Sequence, residues 1–126
     1  MRGWKAHFKQ YAPTGSRIIC TPAPTGTDED WIALDSSGSG AEWLQQNGYT
    51  EDGNPEFYTG NDNGSFRSFR LGDLNVITTP SKEFFDLFVS ATSLAKRLNL
   101  TEKADRIALF QIALYGVRAV DLEVSQ

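Results

Sequence analysis

Asp28 and Asp30 stand two residues apart at the mouth of the apolar run Trp31-Ile32-Ala33-Leu34. On a β-strand, residues i and i+2 project to the same side, so both carboxylates leave one face of one strand. Two carboxylates held in that way form a clamp for Mg²⁺, a hard cation that takes oxygen ligands and shares them with substrate phosphates. Upstream, Gly15-Ser16 offers what a triphosphate needs: close approach of the backbone and a hydroxyl that hydrogen-bonds. Arg17 follows directly. Its guanidinium reads equally as a phosphate contact or as a solvated or paired surface group.

Several elements must hold these residues. Pro22, Pro24 and Gly26 break regular structure, so residues 21–27 are expected to form an irregular loop beside the aspartates. Trp4, Phe8 and Tyr11 recur at spacings of four and three, which suits a helical turn, with a strand over residues 6–11 as the competing reading. His7, the only histidine, reads as an inert surface group more readily than as a general base. Residues 35–40 read as a flexible link, followed by a helix over 41–47 with Gly48 turning the chain left-handed after it. Trp43 and Leu44 are expected to face the sheet, the alternative for Trp43 being a stack on a base. Residues 49–65 are rich in turn formers. They suggest at most a short strand over 56–59, with Asp62 in a solvated loop. The run from Phe66 to Thr79 predicts a hairpin turning at Leu71-Gly72-Asp73, whose returning strand is central in the sheet.

The C-terminal third carries the clearest periodicity. Thr79-Pro80 reads as an N-cap followed by proline in the first turn. Phe84, Leu87, Phe88, Ala91, Leu94, Ala95 and Leu98 then form one apolar stripe that Asn99 ends. Thr101 caps a second helix running to about Tyr115 and stopped by Gly116. From Ile107 to Leu114 that helix is apolar nearly all round, which predicts burial. Lys103 and Arg106 share a face at its start, aimed at phosphate or paired with Glu102 or Asp105. The tail after Gly116 adds a strand or remains an extension.

At 126 residues the chain is long enough for one domain with one core, residues 1–126 throughout. No apolar run approaches the roughly 18 residues a membrane-spanning helix needs, so no membrane partner is expected. The basic N-terminus lacks the apolar stretch of a secretory signal. A single cysteine, Cys20, excludes an internal disulfide and fits a cytoplasmic location. The net charge of −4 argues against binding long nucleic acid over a wide surface, because that binding sets Lys and Arg against phosphates. A small-molecule substrate or a basic protein partner suits the balance better.

The order Gly15-Ser16, a spacer, then Thr27-Asp28-Glu29-Asp30-Trp31 resembles the minimal nucleotidyltransferase family, in particular its short phage-encoded members. The likeness extends through Phe66-Arg-Ser-Phe-Arg to Leu74-Asn-Val-Ile-Thr and Lys103-Ala-Asp-Arg-Ile-Ala-Leu-Phe, most of residues 13 to 116. It implies an α/β (α+β) domain, a small mixed β-sheet with helices packed on one face, and a strand leading into Gly15. It implies Asp28 and Asp30 as Mg²⁺ ligands, with Gly15, Ser16, Arg17, Lys103 and Arg106 toward the nucleoside triphosphate. A third carboxylate is usual on the returning strand. Aligned on the apolar residues, that position is Asn75, and the nearest carboxylate is Asp73 on the same face, roughly 6–7 Å away at the strand rise. Asp73 is therefore the candidate third catalytic carboxylate, and a hairpin turn residue otherwise. The expected activity is transfer of a nucleoside monophosphate to a hydroxyl, with a homodimer or partner completing the acceptor site. The alternative is an inactive relative that binds or inhibits a host protein in the host cytoplasm.

Overall fold

A computed structural model describes residues 3–52 and 66–116. The expected strand over 56–59, Asp62 and the tail from Val117 lie outside the described residues. A 3-10 turn, Trp4–His7, precedes β1 (Gln10–Thr14), the single helical turn α1 (Ser16–Ile19), β2 (Glu29–Leu34), α2 (Ser39–Gln46) and β3 (Thr50–Asp52). The hairpin β4 (Arg67–Leu71) and β5 (Leu74–Thr79) follows, then α3 (Lys82–Arg97) and α4 (Lys103–Tyr115). The strands form one mixed sheet in the order β1-β2-β5-β4-β3. β2 and β5 run parallel at its centre, and the other neighbours are antiparallel. The α/β class and the central position of β5 are as expected.

Alternation along the strands divides the apolar residues between two faces. Ile32, Leu34 and Ile77 meet Ile19 of α1, Phe84 and Phe88 of α3 and Phe110 of α4. Ala33, Phe69 and Val76 meet Trp4, Phe8, and Ala41 and Leu44 of α2. The long helices share one face, but α2 with the 3-10 turn covers the other, so helices lie on both faces rather than on one. That second layer explains why the aromatic spacing at the N-terminus divides its duties: Trp4 and Phe8 are buried and Tyr11 sits exposed on β1.

Helix ends differ from the sequence reading at three places, the first being α4, whose N-cap is Glu102 rather than Thr101, with no side-chain cap bond. The α3 cap is Ser81, whose Oγ accepts from the Phe84 N–H at 3.1 Å. Thr79 instead ends β5, and its Oγ1 accepts from the Ser81 N–H at 3.1 Å. Residues 35–40 are not a flexible link. Asp35 is buried, and its two carboxylate oxygens accept from the N–H groups of Gly40 at 2.9 Å and Ala41 at 2.8 Å, so it caps α2 from four residues upstream. Gly40 is required there, because an added Cβ would enter the Phe8 ring. The stops hold as read. Asn99 takes a positive φ of 49°, and the Leu100 N–H reaches back to the Ala95 carbonyl at 3.1 Å.

Two burial expectations fail for one reason. Leu98 is 57 % exposed and Ile112 48 % exposed, although both lie in apolar runs. Each helix meets the sheet or the other helix along one side only, so an all-round apolar helix still leaves a flank in solvent.

Candidate functional site

The site begins where β1 ends. Thr14 donates its hydroxyl to Thr92 of α3 at 2.7 Å, while Thr92 donates to the Phe88 carbonyl at 2.9 Å. This buried pair pins the last residue of β1. The chain then turns through Gly15 at φ 80° and ψ −179°, a region essentially reserved for glycine. β1 and β2 are antiparallel with Thr14 opposite Asp30, so Gly15 comes against the Asp30 side chain. An added Cβ on Gly15 would overlap Asp30 Oδ2 and lie 2.9 Å from its Cβ and Cγ. The Gly-Ser and the D-x-D, separated in sequence, are thus in contact, and Ser16 opens α1 beside them.

Register brings in two residues that sequence reasoning did not assign, Arg70 and Ser68, and sets them around Asn75. Asp30 pairs with Asn75 across the parallel strands, and Asn75 with Arg70 across the hairpin. Cross-strand partners project to one face, so Asp30, Asn75 and Arg70 form a row on it. Arg70 reaches Asp28, just before β2, in an ion pair of 2.7 Å. The Asn75 amide is held at both ends. Its Oδ1 accepts from Ser68 at 2.9 Å, and its side chain also hydrogen-bonds Asp30. The aspartate pair therefore faces the Arg70 guanidinium and the Asn75 amide, and Asn75 holds the position where a third carboxylate was expected. The signal for Arg70 was its place before the turn, legible only once the hairpin register is known.

Burial pushes the Asp30 carboxyl up to about 6, and the Asp28 charge adds to the rise. The Asn75 hydrogen bond and the guanidiniums of Arg70 and Arg17 pull the other way. A carboxyl whose folded pKa is raised binds more protons in the folded state than in the unfolded one between about pH 4 and 6, so folding stability gains as pH falls through that window. Asp30→Asn is expected to raise the urea midpoint at pH 7.5 and flatten the pH dependence between about 4 and 6. An unchanged slope in the variant would refute the assignment.

The other candidates have partners of their own, and of them Arg17 stays near enough to Asp30 to act on its charge. Asp73 lies exposed in the hairpin turn, and its carbonyl accepts from the Glu29 N–H at 2.8 Å, which fixes the start of β2. Arg17 donates to the Thr27 carbonyl at 2.9 Å and pairs with Glu29 at 3.6 Å, bracing the loop over residues 21–27. Arg106 donates to the carbonyls of Leu100 at 3.0 Å and Thr101 at 2.9 Å, so it ties the α3–α4 turn together. The partner of its guanidinium is thus backbone rather than Glu102 or Asp105. Lys103 is exposed at the start of α4. His7 stacks on Trp43 with ring centroids 4.3 Å apart, on the α2 side of the sheet and away from Asp30.

Asp28 and Asp30 are hard oxygen donors on one side of the sheet, a set that suits Mg²⁺ shared with phosphate oxygens. Among the described residues, no three His, Cys, Asp or Glu side chains gather as a metal-ligand group. Among the same residues, no helix is long and apolar enough to cross a membrane. Comparison with protein-family models, curated proteins and solved structures finds no match.

Proposed function

We propose that the chain binds a nucleoside triphosphate with Mg²⁺ at the junction of Gly15 and Asp30 and transfers the nucleoside monophosphate to a hydroxyl acceptor. The observation that carries this reading is the contact between Gly15 and the Asp30 side chain, which sets a bare stretch of backbone beside a carboxylate pair. Asp28 and Asp30 would hold the ion. When bound, Mg²⁺ neutralises phosphate charge and favours in-line displacement at the α-phosphorus, with pyrophosphate leaving.

The chain's own groups divide the remaining work. Gly15 and Ser16 approach the phosphates through backbone N–H and hydroxyl. Asn75, fixed by Ser68, donates to Asp30 and orients its carboxylate. Arg70 neutralises Asp28 in the free protein. Its guanidinium can turn to a phosphate oxygen when the nucleotide arrives, since a planar fork matches phosphate as well as carboxylate.

A second reading is favoured by Asn75 itself. An amide accepts no proton and carries no charge, so a site with Asn75 in the third position can hold a nucleotide, or serve as a docking face for a host protein, without turnover. Titration calorimetry of each nucleoside triphosphate, with Mg²⁺ and with EDTA, separates these. Binding is expected only with Mg²⁺, and Asp28→Asn with Asp30→Asn is expected to weaken it by about 100-fold or more. Binding without pyrophosphate release in the presence of varied hydroxyl acceptors supports the second reading. Absence of nucleotide binding refutes the first.

A further inference from the structure

On the face of the sheet opposite Asp30, three aromatic rings converge. Trp31 on β2 and Tyr11 on β1 are diagonal cross-strand neighbours, because Tyr11 pairs with Ala33 and Trp31 with Pro13. Trp4 comes from the 3-10 turn. The ring centroids lie 5.4 Å (Trp4–Trp31), 5.7 Å (Trp4–Tyr11) and 6.0 Å (Tyr11–Trp31) apart, and the rings meet at 66°, 70° and 65°. Three rings so inclined form the walls of a corner, not a stack. Glu29 accepts from the Trp31 indole N–H at 2.7 Å and so fixes that wall.

A cation already sits in the corner. Lys5 Nζ lies 4.1 Å from the Trp31 centroid, 5.5 Å from Tyr11 and 5.9 Å from Trp4. Ring faces carry negative charge and attract cations within about 6 Å of the centroid. Among the described residues Lys5 makes no ion pair, so the rings are what hold its ammonium there. The Lys5 backbone is anchored separately, its carbonyl accepting from the Phe8 N–H at 3.3 Å. The side chain can therefore leave while the turn stays.

We infer that Trp4, Tyr11 and Trp31 form an aromatic cage for a trimethylammonium group, and that Lys5 is its resident placeholder. A lysine ammonium is compact and strongly hydrated, and Lys5 is exposed, so it yields part of the ring attraction to water. A trimethylated nitrogen sheds its weaker hydration at less cost and lays methyl groups against all three faces. It wins the exchange on both counts. The cage stands on the far side of the sheet from Asp28 and Asp30 and does not depend on the nucleotide reading.

The test is titration followed by tryptophan fluorescence and calorimetry. Choline and Nε-trimethyllysine, used separately, distinguish a free small molecule from a methylated side chain as the source. Saturable binding of either is expected, with the uncharged tert-butyl isostere of choline at least about tenfold weaker. Lys5→Ala removes the competitor and is expected to tighten binding by about three- to tenfold. Tyr11→Ala, at a 43 % exposed position that does not endanger folding, is expected to weaken it by a similar factor. No saturation in either the native protein or Lys5→Ala overturns the inference. So does equal binding of the isostere, weaker binding by Lys5→Ala, or indifference to Tyr11→Ala.

Discussion

Gly15→Ala is expected to lower the thermal midpoint by about 10 °C and to abolish nucleotide binding. Two costs combine. A non-glycine residue at this φ and ψ is strained by about 1–3 kcal/mol. The new methyl also meets Asp30, and forced overpacking of that kind costs about 1–3 kcal/mol. At roughly 2–8 °C per kcal/mol for domains near this size, the sum gives a shift of that order. Circular dichroism melts measure it. Adding Asp30→Gly to Gly15→Ala separates the terms, since it relieves the contact and leaves the dihedral strain. Partial recovery is expected. A midpoint unchanged by Gly15→Ala would show that β1 does not meet β2 as described.

The second large effect lies in the core. Phe88 is 2 % exposed. Its ring lies between Phe84, with centroids 6.2 Å apart, and Phe110, at 4.8 Å and 62°. Its backbone carbonyl receives the Thr92 hydroxyl that in turn positions Thr14. Phe88→Ala is expected to cost about 3–5 kcal/mol, the usual range for deleting a buried ring. Against a typical total of about 5–15 kcal/mol, that leaves the fold marginal. Urea denaturation measures the loss, with Leu98→Ala, in the same sequence stripe but 57 % exposed, expected within about 0.5 kcal/mol of the native protein. Similar costs for the two would contradict the orientation of α3.

That contrast shows where the sequence is readable. Local chemistry is legible: Gly48, Asn99 and Gly116 end helices where their left-handed conformation allows, and Gly72-Asp73 turns a hairpin. That the two aspartates stand at the mouth of a strand and that Gly15 turns the chain are legible too, because each rests on a short run of residue types. What one face of a helix meets is not local, so periodicity marks Leu98 as core although more than half of it stays exposed. Arg70 and Ser68 escape notice for the same reason. Nothing near them in sequence ties them to Asp28 or Asn75, and only strand register does. Asp35 escapes differently. Its flanking serines and glycines look like a linker, and a carboxylate that caps a helix from beyond the usual N-cap position leaves no short motif.

The parallel seam between β2 and β5 has a kinetic meaning. Glu29 pairs with Leu74, so closing the centre of the sheet brings together residues about 45 apart, a loop whose entropy cost carries a term of roughly 3 kcal/mol. The hairpin of β4 and β5 and the pair of β1 and β2 can each form early, because their contacts are local. Every side chain of the aspartate row straddles the join: Asp28 and Asp30 on one half, Ser68, Arg70 and Asn75 on the other. A chain that has collapsed into two good halves still has no site. The row is thus complete only once the seam between β2 and β5 has closed, and any occupant of it would clasp the two halves together.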